Sequence, residues 1–153
     1  MEHEKNNLQT ITRSMRFDVR LSRVGSVVRT NVPVSLINYT KNGFDWGEMT
    51  PGAFDLALNI LNAFAPPSIH LHGNHECRHG VASARAWKSH KHFVVKHLQN
   101  IPEIGGIIPQ AEIVAFIASE ITLEADATQK THMVRPGLEE EDGNGRDYQV
   151  RYR

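Results

Sequence analysis

Cysteine occurs once in the 153 residues, at Cys77, so no disulfide can close within the chain. Net charge is missing as well: 17 Lys and Arg balance 17 Asp and Glu, and a neutral molecule has no overall field to draw nucleic acid or an acidic membrane. Binding of that kind has to come from a local patch. Long apolar runs are also absent. Stretches such as Ile113 to Ile117 fall far below the roughly 18–20 residues that span a bilayer. The opening Met-Glu-His-Glu-Lys-Asn-Asn lacks the apolar centre of a signal peptide. The expectation is a cytoplasmic protein with no membrane partner. No Walker loop and no Gly-x-Gly-x-x-Gly after a strand is found, which removes the commonest nucleotide sites. The chain is long enough for one domain with a real core, and too short for two independent ones.

What is present divides the chain into an N-terminal extension over 1–15, an α+β domain over 16–125 and a flexible acidic tail over 126–153. Phe17, Val19 and Leu21 alternate with Asp18 and Arg20, the period of a half-buried strand, here placed near 16–22. The β-branched stretch Val32 to Tyr39 leads into Asn42-Gly43, a pair suited to a two-residue hairpin turn, with Phe44 and Trp46 on the strand that follows. The N-terminal third therefore reads as a small antiparallel sheet.

Three helices are expected to pack on it. Thr50-Pro51 is an N-cap followed by a proline at the first helical position, and Phe54, Ala57, Leu58, Leu61 and Phe64 then recur at helical spacing until Pro66-Pro67. A second helix is expected from about Val81 to Gln99. The third starts near Pro109 and fades around Ala125, with Ile101-Pro102 and Gly105-Gly106 forming a tight connection between them. Beyond Asp126, Glu139 to Asp142 and Gly143-Asn144-Gly145 have the composition of a solvated segment, although Tyr148 to Tyr152 alternates enough to add a strand to a sheet edge.

Histidine is concentrated in one place. His70, His72, His75 and His79 lie within ten residues, together with Cys77. Neutral imidazoles and a thiolate are the donors that zinc takes, and His70, His72, His75 and Cys77 would serve if the segment were a tight loop. The spacing His-x-His-x-x-His-x-Cys-x-His reads as no zinc-finger, zinc-ribbon or zincin pattern, so a solvated loop and a pH-sensing cluster stay open beside a zinc site. His90 and His97, one heptad apart on the second helix, are candidates to complete it. Cys77 with a nearby His and Asn74 is a weak candidate for a nucleophile, because neighbours in sequence rarely converge as a triad does.

Basic residues form two groups. Arg13, Arg16, Arg20, Arg23 and Arg29 face a single Asp18 between Thr10 and Thr30, and Arg78, Arg85, Lys88, Lys91 and Lys96 surround the second helix. Together they would make a composite surface for phosphates or an acidic protein, or two ordinary solvated faces. Trp46 is either a core ring or a surface anchor for a partner.

The stretch Gly43-Phe44-Asp45-Trp46-Gly47, then Pro51-Gly52 and Leu56-Ala57-Leu58-Asn59-Ile60-Leu61, resembles a family of small phage and mobile-element proteins of unknown function. That family joins a Gly-Phe-x-Trp-Gly turn to a Leu-Ala-x-x-Ile-Leu helix. His92-Phe93-Val94-Val95 through Ile101-Pro102 to Ile113 and Ile117 looks like its second half. The chain departs from the pattern in the order Pro51-Gly52, in its extension and tail, and in the histidine cluster. The resemblance implies a small α+β domain of a phage or mobile element. The expected function is then non-enzymatic binding of a host protein or nucleoprotein complex, with a defence-evasion role. The alternatives are a zinc protein built on residues 70–79 and a basic factor that binds nucleic acid.

Overall fold

Val19, Arg20, Leu21 and Ser22 alternate between buried and exposed, and this alternation builds the central strand of an antiparallel sheet. The computed structural model describes residues 14–68 and 73–132, with side chains through 130. Strand β1 (Val19–Val24) turns back through Gly25-Ser26 into β2 (Val27–Thr30). Gly25 has φ +59°, the glycine-first requirement of a two-residue turn whose twist matches its strands. After α1 (Pro51–Phe64) come two short strands, β3 (His75–Glu76) and β4 (Val81–Ala82), which pair only with each other. Strand β5 (Gly105–Ile108) then joins the free side of β1, giving the order β2-β1-β5. Gly105 has φ +118°, and a Cβ there would collide with the Leu21 carbonyl, so only glycine lets the strands approach.

The helices start where their caps predict. The Thr50 hydroxyl accepts from the Ala53 N–H at 3.2 Å, and Pro51 opens α1. The Ser83 hydroxyl accepts from the Ala86 N–H at 3.1 Å and starts α2 (Ala84–Phe93). A π-helical turn over Val94–Leu98 continues α2, closed by Gln99 N–H to the Val94 carbonyl at 2.8 Å. Helix α3 (Gln110–His132) takes its first cap from far away, since the Gln110 N–H donates to Asp18 Oδ1 at 2.8 Å. Helix α1 packs against α2, its π turn and α3, and Leu56, Ala57, Leu58 and Ile60 are fully buried. Val19, Leu21, Trp46, Phe93 and Phe116 belong to the same core. The protein is a single-domain α+β fold with three helices and a small antiparallel sheet. No helix among the described residues is long and apolar enough to cross a membrane.

Several expectations about elements are corrected. Val32 to Tyr39 is not a strand, and Phe44 and Trp46 do not sit on one. Gly43 has φ +95°, but no non-glycine has positive φ among the described residues, so Asn42-Gly43 is not the mirror-image hairpin turn. The Thr40 hydroxyl closes this bend instead, accepting from the Asn42 N–H and donating to the Gly43 carbonyl, both at 3.0 Å. The third strand of the sheet comes from Gly105–Ile108, which had read as a connection. Val81-Ala82 is a strand rather than the start of a helix, and α3 runs to His132 rather than fading near Ala125. The acidic residues 139–142 and the alternating stretch 148–152 lie outside the described residues.

The physical reason for the missing strand is on α1. Asp55, Asn59 and Asn62 lie along one face of it and are buried. Asp55 accepts from the backbone N–H groups of Asn38, Tyr39 and Thr40 at 2.8–3.1 Å. Asn59 accepts from Ser35 and Leu36 N–H and donates to the Leu36 carbonyl. Asn62 accepts from Ser83 N–H and donates to the Val81 carbonyl. In the segment 35–40 every N–H except that of Ile37 thus finds its partner on a helix, and Ile37 alone makes a single bridge to His79, so no strand ladder forms. Replacing Asp55 by Ala leaves the buried Thr40 N–H and the partly buried Asn38 and Tyr39 N–H without partners, at about 1–3 kcal/mol for a fully buried donor. D55A is therefore expected to lower the urea midpoint steeply or to abolish cooperative unfolding.

Candidate interaction surface

Residues directly opposite in an antiparallel ladder share a face of the sheet. In β1, Val19 and Leu21 point into the core, so Arg20, Ser22 and Val24 point out. Their partners Ile107, Arg29 and Val27 point out with them, through the pairs Arg20↔Ile107, Ser22↔Arg29 and Val24↔Val27. Nothing among the described residues covers this face: Val24 is 68%, Val27 53% and Ile107 63% exposed. Three aliphatic side chains and two arginines therefore form one open patch. The carboxylate next in line, Asp18, is held by the Gln110 N–H at the end of the sheet.

The remaining basic candidates are distributed elsewhere. Arg23 points to the inner side, where its guanidinium pairs with Asp45 and lies over the Trp46 ring at 4.7 Å from the centroid. Trp46 itself is 4% exposed and donates from Nε1 to the Pro102 carbonyl at 2.9 Å, so its ring is part of the core and not offered at the surface. Arg78 donates to the Thr40 carbonyl and Lys88 pairs with Glu124 at 3.2 Å. Arg16 and Arg85 come from different basic groups yet line one groove beside α2. The composite surface expected from sequence is thus divided into a sheet face with Arg20 and Arg29, a groove with Arg16 and Arg85, and cations already paired.

The histidine segment has a different geometry from a ligand loop. His70 and His72 lie outside the described residues. His75 stacks on Trp87, with ring centroids 3.4 Å apart and planes within 9°. Cys77 begins the turn after β3, its N–H donating to the Gly80 carbonyl at 3.0 Å, and burial pushes its thiol pKa up, which favours the unreactive protonated form. His79 is exposed and held by its backbone, which exchanges both hydrogen bonds with Ile37. Reading the cluster by its overall spacing overlooked that residues 75–79 also spell His-Glu-x-x-His. That pattern makes a zinc site when a helix places both histidines on one face. Here His75-Glu76 is a strand and the rest is a turn, so the helical register is absent. Among the described residues no three His, Cys, Asp or Glu side chains gather to hold a metal ion.

His90 and His97 do not join that segment. His90 is buried between α1 and α2, with Nδ1 2.6 Å from the Trp87 carbonyl and Nε2 3.0 Å from the Tyr39 hydroxyl. A carbonyl only accepts, so Nδ1 carries the proton and the tyrosine donates to Nε2. Burial lowers the His90 pKa and raises that of Tyr39. His97 lies past the onset of the π turn, which rotates the chain and carries this ring to α3, edge-on to Phe116 and 3.6 Å from Glu112. Burial lowers its pKa too, against an opposing pull from Glu112.

Residues that sequence reasoning missed are Asp55, Asn59 and Asn62, the Tyr39–His90 pair, and Val24, Val27 and Ile107 on the sheet face. The last group had a signal, the pair Gly25-Ser26 flanked by valines. Compared with protein-family models, curated proteins and solved structures, the chain matches none.

Buried His90 and partly buried His97 have lowered folded pKa values, so below the ordinary value of about 6.5 the unfolded chain binds protons that the folded protein resists. Stability is then fully present above that pH and falls as the pH drops toward the folded values. Urea unfolding as a function of pH is expected to show this loss, reduced in H97N. If His75 is held by its stack on Trp87, zinc measured by plasma mass spectrometry on protein purified without chelators is expected to be equal in wild type and H75A/H79A.

Proposed function

We propose that this chain is a non-enzymatic accessory protein of a phage or mobile element that binds a host protein or nucleoprotein complex in the cytoplasm. The observation that carries the reading is the open outer face of the sheet. Exposed Val24, Val27 and Ile107 favour removal from water, at about 25 cal/mol per Å² of apolar surface covered. Arg20 and Arg29 among them select a partner with acidic groups. The patch is aliphatic and has no aromatic ring on which bases would stack, which favours an acidic protein surface over single-stranded nucleic acid. The Gly43 to Gly47 turn and the Leu56 to Leu61 helix, through the family they resemble, support the phage or mobile-element origin. The zinc reading gains no support from the strand and turn at residues 75–80.

Capture of partners from host lysate by the tagged protein tests the reading when run beside R20A/R29A. The double variant is expected to stay folded, because both side chains are exposed, and to lose affinity by roughly tenfold or more. Capture that survives nuclease treatment and weakens in the variant supports a protein partner. Nuclease-sensitive capture, with log K falling against log salt at a slope of about −2 for two phosphate contacts, moves the reading to nucleic acid. Equal capture by wild type and variant sinks the sheet face as the contact.

A further inference from the structure

A second surface stands apart from the sheet face and does not depend on it. The end of α1, the start of α2 and one side of α3 enclose a groove of about 400 Å³, within the range of small-molecule sites. Phe64, Val114, Ile117 and Ile121 supply its apolar wall, and Arg16 and Arg85 are the charged residues that line it. The two arginines are far apart in sequence. Tertiary structure brings them to one opening: Ser14 and Met15 are fastened to the last turn of α1 by hydrogen bonds to Phe64 and Ala63, while Ser83 caps the helix on which Arg85 sits.

Among the described residues neither guanidinium has an acidic partner. Glu120 and Glu124 line an adjoining pocket with Arg85 but are engaged by other groups, Glu120 with His92 at 2.7 Å and with Ser89 at 3.3 Å, and Glu124 with Lys88 at 3.2 Å. The other polar group at the opening is also used, since Ser83 bonds Ala86 through its hydroxyl and Asn62 through its N–H. Two exposed arginines without an acidic partner line this one apolar groove, and guanidinium is the cation best shaped to grip a carboxylate, sulfonate or phosphate. We propose that this groove binds a small amphipathic anion, with an apolar body between α1, α2 and α3 and a single anionic head between Arg16 and Arg85.

A matched pair of fluorescent probes tests this on the full chain. Anilinonaphthalene sulfonate has the required head and body; N-phenylnaphthylamine is the same body without the sulfonate. The sulfonate is expected to bind saturably, with a dissociation constant on the order of tens of micromolar for a ligand of its size. In R16A/R85A its affinity is expected to fall about tenfold, as for two exposed ion pairs at the strong end of their range, while that of the neutral probe changes less than twofold. Ala118→Trp, which fills the groove from α3, is expected to weaken both probes, with far-UV circular dichroism confirming the fold. The proposal is overturned by non-saturable binding, by binding that R16A/R85A leaves intact, or by binding lost only in R20A/R29A, which would locate the probe on the sheet face. Binding seen only in a Glu2→Gln/Glu4→Gln variant would overturn it as well, by assigning the groove to the chain's own N-terminal segment. Because the two surfaces have separate variants, failure of the groove leaves the sheet-face reading standing, and the reverse.

Discussion

Most of the structure depends on one buried polar face of α1. Asp55, Asn59 and Asn62 lie within its otherwise apolar surroundings and take the backbone of two loops as their partners. A buried carboxylate is costly unless hydrogen bonds surround it, so Asp55 requires the segment 38–40 in one conformation, and that segment requires Asp55 in return. The consequences extend outward. Fixing residues 38–40 places Tyr39 against His90 and Trp87, and the Thr40 carbonyl then receives Arg78. Fixing Ser83 through Asn62 sets the start of α2, and with it the groove that Arg85 and Arg16 both line.

Charge is organised by the same framework. The chain is neutral as a whole, yet its arginines occupy three different environments. Arg23 is held between Asp45 and the Trp46 ring on the inner side of β1, where it helps seal the core. Arg20, its neighbour but two, faces the opposite way because strand side chains alternate. Arg16 precedes the strand and belongs to the helical groove. A residue's position relative to the pleat and to the helix ends therefore decides whether it is structural, open to a partner, or part of a cleft. Net charge reports none of this.

Two of the histidines show how a fold can oppose the property for which histidine is usually noticed. Buried His90 and partly buried His97 lie against aromatic rings and burial lowers both pKa values, while Glu120 pairs with the more open His92. The π turn at Val94–Leu98 separates them: an uninterrupted α-helix would leave residues seven apart near one face, and the wider turn sends His97 to α3 instead. His75, from the dense cluster, is likewise spent on a stack with Trp87.

By itself the sequence determined the elements whose signals are local. The alternation of Phe17 to Leu21, the Thr50-Pro51 start of α1, its apolar spacing, and the α+β class all follow from side-chain periodicity and capping within a few residues. What only tertiary structure decided is how nonlocal groups satisfy one another. Val32 to Tyr39 has strand composition, but Ser35, Leu36, Asn38 and Tyr39 give their N–H groups to Asn59 and Asp55, and composition does not reveal a helix as the partner. Gly105–Ile108 resembled a connection because its glycines signal turns, whereas Gly105 is there to let β5 approach Leu21. The candidate sites follow the same division. The arginines were visible as a list, but which of them share a surface depends on strand register and on where the helices begin, because charges act through distance in space and not through spacing along the chain.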